Sequence, residues 1–193
     1  MIYFVIVLIA VFLFYLVGTY NKFVTTRTRI KASIQEIGNQ LKRQANLIPG
    51  LADSVKGYLT HEKGIFTELT NARNLILSAT KDNNPQALVD TSAEVERLFG
   101  RFNALMESTP ELKGVEAVTK FMDEFRDSAD KLMYSRRVLI DLSADFNVMV
   151  VTFPSNLIAK IFGFKTEKGL VTPESGEHLE VSEKETQTPK VDF

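Results

Sequence analysis

The sequence has no cysteine and no tryptophan, and only two histidines and six prolines in 193 residues. Without cysteine there is no disulfide, no thiolate nucleophile, no Cys-ligated zinc and no iron–sulfur cluster. A lipid anchor attached to an N-terminal cysteine is excluded as well. The two histidines are His61 and His178. "HEK" at His61-Glu62 resembles the start of a zinc-binding helix, but that motif needs a second His one turn on. Position 65 is Ile65, so the ligand count cannot be met. His61 is expected in an ordinary polar contact. Strong charge of one sign is missing too: the formal net charge is −1, which provides no field for nucleic acid. No Gly-rich phosphate loop, paired acid–base set or Ser–His–Asp set can be assembled. Neither an enzymatic activity nor a cofactor is expected, and no metal site.

What is present begins with a long apolar run. Ile2 to Val17, "IYFVIVLIAVFLFYLV", carries no charge. Extended to Tyr20 it forms roughly 28 Å of helix at about 1.5 Å per residue, close to the ~30 Å hydrocarbon core of a bilayer. Tyr3, Tyr15 and Tyr20 lie near its ends, where aromatic belts form. A cleaved signal peptide would want a basic start, a shorter run and a small-x-small site, and these are missing. The run is expected to be an uncleaved transmembrane anchor over residues 1–20. Lys22, Arg27, Arg29 and Lys31 follow it before the first acid, Glu36. The positive-inside rule then places the N-terminus outside and the bulk of the chain in the cytoplasm, as a single-pass membrane protein.

Beyond the anchor the apolar spacing is helical. Ile30, Ile34, Ile37, Leu41, Ala45 and Ile48 form one stripe. Pro49-Gly50 interrupts it and marks a hairpin turn or a kink. Leu51, Val55, Leu59, Phe66, Leu69, Ala72 and Ile76 form a second stripe, which "KDNNP" ends. Asn84 is a cap and Pro85 a first helical residue. A third stripe is Leu88, Val95, Leu98, Phe99, Phe102 and Leu105. In "STPE", Thr109 caps the next helix, with Pro110 and Glu111 in its first turn. The fourth stripe runs from Val115 through Phe125, Leu132, Leu139 and Phe146 to Phe153, where Pro154 stops it. The fold expected is all-α: the anchor, then an antiparallel up-and-down four-helix bundle over residues 21–165 with coiled-coil-like stripes. Residues 166–193 hold seven acids and three bases; this acidic tail is expected to be disordered.

Four phrases together resemble one family. "YNKFV" starts at Tyr20, "LKRQANLIPGLADSVKGYLTHEK" spans Leu41–Lys63, "SRRVLIDLSADFN" spans Ser135–Asn147, and "FPSNLIAKIFGFK" spans Phe153–Lys165. The chain resembles the LemA family of bacterial membrane-anchored proteins over about residues 1–165. The resemblance implies one anchor and a helical bundle in a bacterial envelope, with no established reaction or cofactor. It also suggests partners among membrane proteases or envelope-maintenance proteins. Ala45, Asn46 and Gly50 depart from the family's usual pattern.

The last phrase is oddly apolar for the end of a bundle. A short helix from about Ser155 to Phe162 is expected after Pro154. It puts Leu157, Ile158, Ile161 and Phe162 on one side, flanked by Lys160 and Lys165. Phe153, Leu157, Ile158, Lys160, Ile161, Phe162, Phe164 and Lys165 are the candidates for a membrane-interface segment; the competing expectation is a piece folding back on the bundle end. Bundle parity separates the two. Four passes with a turn at Pro49 return the chain to the bilayer, whereas three passes leave it far away; four are expected. Arg136-Arg137 and Lys42-Arg43 are expected in salt bridges or snorkelled positions. Functionally, a non-catalytic, membrane-anchored interaction or scaffold protein is expected, bound to the lipid bilayer and to unidentified proteins. The alternative is a homo-oligomer that organises or remodels the membrane.

Overall fold

The computed structural model describes residues 1–58, 63–82, 84–167 and 170. His61, Glu62, His178 and nearly all of the acidic tail lie outside the described residues. Every regular element among them is helical: α1 (Ile2–Val55), α2 (Lys63–Asp82), α3 (Pro85–Ser108), α4 (Pro110–Lys113), α5 (Glu116–Val151) and α6 (Ser155–Phe162).

The first helix joins two environments. Its 54 residues extend about 80 Å at 1.5 Å per residue. Ile2 to Val17 is exposed except for the half-buried Leu16, and this stretch is long and apolar enough to cross a membrane. Burial begins at Phe23. From there Phe23, Thr26, Ile30, Ser33, Ile37, Leu41, Gln44, Ala45, Ile48, Leu51 and Val55 are buried, mostly at spacings of three and four. Such spacing keeps one narrow face toward neighbouring helices.

Pro49 lies inside α1, which corrects the expectation of a hairpin there. The missing N–H forgoes one bond to the carbonyl four residues back and costs about 3 kcal/mol in an isolated helix. Here the pyrrolidine ring is exposed, while Ala45, Ile48 and Leu51 around it are buried. Burial of a Leu or Ile side chain contributes about 1.5–3 kcal/mol, enough to carry the helix past the proline. The adjacent Gly50 also has a packing role: a methyl group there would sit 2.5 Å from Cζ of Phe121. The chain turns later, after Val55, where the Tyr58 N–H bonds the Val55 carbonyl. Leu51 and Val55 therefore belong to α1 and not to the second helix. The four-pass parity stands with its first turn moved.

The passes alternate in direction. Between α1 and α5, Phe23 meets Phe146, Gln40 meets Ser128, and Arg43 meets Asp127; rising numbers on one helix face falling numbers on the other. This antiparallel pair is the spine of the bundle. Arg101 pairs with Glu68 across α3 and α2 at 3.0 Å, and Phe99 stacks on Phe125 between α3 and α5. Asn84 caps α3 as expected, its side chain accepting from the Gln86 N–H at 3.0 Å. The third-to-fourth connection differs from expectation. Thr109 makes no side-chain cap bond, α4 is a single turn, and α5 starts anew at Glu116 after Gly114. Leu112 of that turn is fully buried, so the extra break seals the far end of the core.

Candidate membrane-interface site

The chain comes back to the end of the bundle from which the apolar N-terminal third of α1 emerges. Helix α5 runs to Val151, through the β-branched "VMVV" stretch. There the Thr152 Oγ1 donates to the Val148 carbonyl at 2.7 Å. After Pro154 the direction changes: α6 makes an angle of 92° with α5. Ser155 supports this corner, its hydroxyl donating to the Met149 carbonyl at 2.7 Å.

Helix α6 is two-faced. Ile158 and Ala159 are buried against α1 and α5. Leu157 and Ile161, one turn apart, are 50% and 69% exposed, and Phe153 just before the helix is 79% exposed. Because the Ile158 face packs on the bundle end, the opposite face points away from the bundle. Burial removes Ile158 from the exposed candidates, and Phe164 is half-buried. Phe153, Leu157, Lys160, Ile161, Phe162 and Lys165 remain exposed.

Gly163 ends α6 with φ 71°, in the left-handed region that a residue without Cβ enters at no steric cost. The Phe164 N–H then bonds the Ala159 carbonyl at 2.9 Å. This reversal throws Phe164 onto α1, where its ring stacks on Phe23 with centroids 4.7 Å apart and meets Phe146 edge-on at 6.3 Å. Phe162 lies 4.7 Å from Tyr20. Offset-stacked and edge-to-face pairs suit the ring quadrupoles and add about 0.5–1.5 kcal/mol each beyond area burial. The aromatic cluster pins α6 at the height where the apolar run ends.

A clamp follows. Asn147 of α5 brackets the backbone of Glu167: its Nδ2 donates to the Glu167 carbonyl at 3.0 Å, and its Oδ1 accepts from the Glu167 N–H at 2.8 Å. The Glu167 carboxylate accepts from Arg27 Nε at 3.0 Å. The beginning of the acidic tail is thus docked on α1 and α5, whereas the sequence predicts disorder over residues 166–193. Residues Tyr20, Phe23, Arg27, Asn147 and Glu167 were not foreseen as parts of this site. Their one sequence signal is that "YNKFV" and "FPSNLIAKIFGFK" both carry aromatics at the two ends of the bundle sequence.

The other candidates are structural or remote. Arg43 pairs with Asp127 at 3.0 Å across the spine, while Lys42 is exposed. Arg136 is half-buried and, with Gln44, Ser92 and Glu96, lines a cavity of about 100 Å³. Arg137 is exposed. Nothing brings these basic pairs to α6.

The LemA family model matches residues 33–193. "Protein LemA" of Metamycoplasma hominis is 24% identical over 157 residues, covering 81% of this chain and 71% of that protein. The match to the family model takes in most of the bundle, the α5–α6 corner and the clamp that follows, well over half of the sequence, and the chain belongs to the LemA family.

Proposed function

We propose that this protein is a non-catalytic, membrane-anchored interaction module that touches the bilayer twice. The apolar N-terminal third of α1 spans it, and α6 lies along its surface. One observation carries this reading: α6 turns 92° from α5 at the end of the bundle where the apolar run emerges, with Phe153, Leu157 and Ile161 outward. A helix in that attitude lies in the plane of the bilayer when α1 crosses it.

Magnitudes favour orientation over anchoring as the role of α6. Moving the exposed parts of Phe153, Leu157, Ile161 and Phe162 into lipid contributes about 1 kcal/mol each. A total of about 4 kcal/mol would hold a free protein only transiently. On a tethered chain it suffices, because the tether makes the second contact intramolecular. The bundle then has a restrained tilt and presents its distal surfaces to partners. In this reading Lys22, Arg27, Arg29, Lys31, Lys160 and Lys165 favour the cytoplasmic leaflet, and membrane proteases or envelope-maintenance proteins are the partner classes. The same outward face also supports the second reading, in which α6 wedges into one leaflet and self-associating copies organise the membrane.

The lack of tryptophan provides a clean test. In the full chain reconstituted in vesicles, Leu157→Trp fluorescence should be blue-shifted and quenched by lipids brominated near the headgroup. Tyr134→Trp, on the exposed face of α5 many turns away, should be neither. Water-like, unquenched emission from Leu157→Trp would refute the surface position of α6. Vesicle shape with and without Leu157→Asp plus Ile161→Asp tells the orienting role from remodelling.

A further inference from the structure

A groove of about 340 Å³ runs along α1 just beyond the apolar run, bounded on its other side by the end of α6. Tyr20, Arg27 and Lys31 line it from α1, and Phe162 and Phe164 close it. We propose that this groove binds the phosphate of an anionic phospholipid headgroup; the inference rests on the membrane-surface position of α6 argued above.

Charge and height both support that occupant. The lining holds two cations, Arg27 and Lys31, and the Glu167 carboxylate beside it offsets only one of them. Arg27 already holds one anionic oxygen, that of Glu167 on its Nε. Its two Nη groups donate no hydrogen bond among the described residues, and Lys31 pairs with no acid among them. A guanidinium suits phosphate because its fork of donors matches the oxygens. Arg27 stands about 10 Å above Tyr20 along the helix, and Lys31 about 16 Å. Side chains of an α-helix lean toward its N-terminus, which here is the bilayer side. Both long side chains therefore reach down toward the headgroup layer. Tyr20 and Phe162, with centroids 4.7 Å apart, form the floor at the level where aromatic belts meet the acyl chains. A free phosphate would use the cations and gain nothing from this floor; a lipid uses both.

The test is native mass spectrometry of the detergent-solubilised full chain, titrated with phosphatidylglycerol, with phosphatidylcholine and with inorganic phosphate. The wild type should prefer phosphatidylglycerol. One cation near an anionic lipid surface is worth a factor of about five, so Arg27→Gln plus Lys31→Gln, with Arg27 partly offset by Glu167, should weaken that binding about 5- to 25-fold. Binding of phosphatidylcholine, whose choline offsets the charge of its phosphate, should fall by clearly less. Both positions are exposed, so the variant should keep the wild-type helical circular dichroism. Arg97→Gln plus Lys120→Gln, exposed charges remote from the groove, should leave the preference intact. Equal binding of the two lipids by the wild type would overturn the proposal. So would an equal loss in the remote variant, which indicates bulk charge alone, or displacement of phosphatidylglycerol by equimolar inorganic phosphate, which indicates a free-anion site. Leu157→Trp quenching reports on α6 independently: quenching without lipid preference removes the groove and keeps the surface helix.

Discussion

Phe23→Ala tests the joint on which the functional reading depends. Phe23 is fully buried, stacked on Phe164 at 4.7 Å and edge-on to Phe146 at 5.5 Å. It is the last large buried side chain of α1 before the apolar run. Truncating a buried Phe to Ala costs about 3–5 kcal/mol, ring contacts included. For a helical domain of this size each kcal/mol lowers the melting midpoint by about 3 °C, so a drop of about 10 °C is expected. Phe164→Ala, at a half-buried position, should lower it about half as far. Global stability alone would not identify the joint, so hydrogen exchange provides the second readout. The Phe164 N–H is bonded to the Ala159 carbonyl and the Glu167 N–H to Asn147 Oδ1. Phe23→Ala should strip protection from both amides, because Phe164 loses its stacking partner. Asn147→Ala should strip it from Glu167 and leave Phe164 protected. A melting point within a degree or two of wild type, or undiminished protection of both amides in Phe23→Ala, would show that α6 is held by something other than this cluster.

Two further outcomes follow from the spine. Pro49→Ala should raise the melting midpoint of the full chain, by the equivalent of about 1–3 kcal/mol, since it restores a helical N–H at an exposed interior position; a turn-forming proline would instead lower it on replacement, so the sign measured by circular dichroism decides. Asp127 is held below the usual carboxylate range, chiefly by its hydrogen bond from Lys131 at 2.8 Å, with Arg43 adding a second attraction. A depressed native value stabilises the fold above the ordinary carboxylate range, and this is lost as the pH falls through the lowered value. Asp127→Asn should therefore flatten the fall of the melting point on acidification in that window; an identical acid slope in both proteins would assign the slope to other carboxylates.

Much of the helical layout was legible because periodicity is a local property. Spacing alone puts Ile30, Ile34, Ile37, Leu41, Ala45 and Ile48 on one stripe, and all are buried but the half-buried Ile34. The Asn84-Pro85 start of α3 follows from local cap chemistry, and so do the bounds of α6 after Pro154. Pro49 was misleading for a definite reason. Proline's local penalty of about 3 kcal/mol is decided against by burial on both sides of it, which only the packed bundle supplies. The split of the fourth helix at Gly114 escaped for a similar reason: one turn that plugs the core with Leu112 has no periodic signature.

The site was half legible. The apolar excess of "FPSNLIAKIFGFK" is visible in the sequence, and so is the short helix after Pro154. Which of its side chains face the bundle is not visible, because Ile158 and Leu157 are equally apolar neighbours. Their separation into a buried and an exposed face depends on how α6 rests on α1 and α5. The clamp of Asn147 on Glu167 and the reach of Arg27 to the same residue span 20 and 140 positions, and no local pattern reports such pairs.

By itself, then, the sequence determined an all-α chain, an apolar run of membrane-crossing length, the stripes that make the core and the helix that ends it. These are consequences of side-chain period and of turn chemistry, which act over a few residues. The tertiary structure alone decided where the first pass ends, which face of α6 is spare, and that Tyr20, Phe23, Phe146, Phe162 and Phe164 form one cluster. Those depend on the antiparallel register of α1 and α5, which brings the two ends of the bundle sequence to the same height.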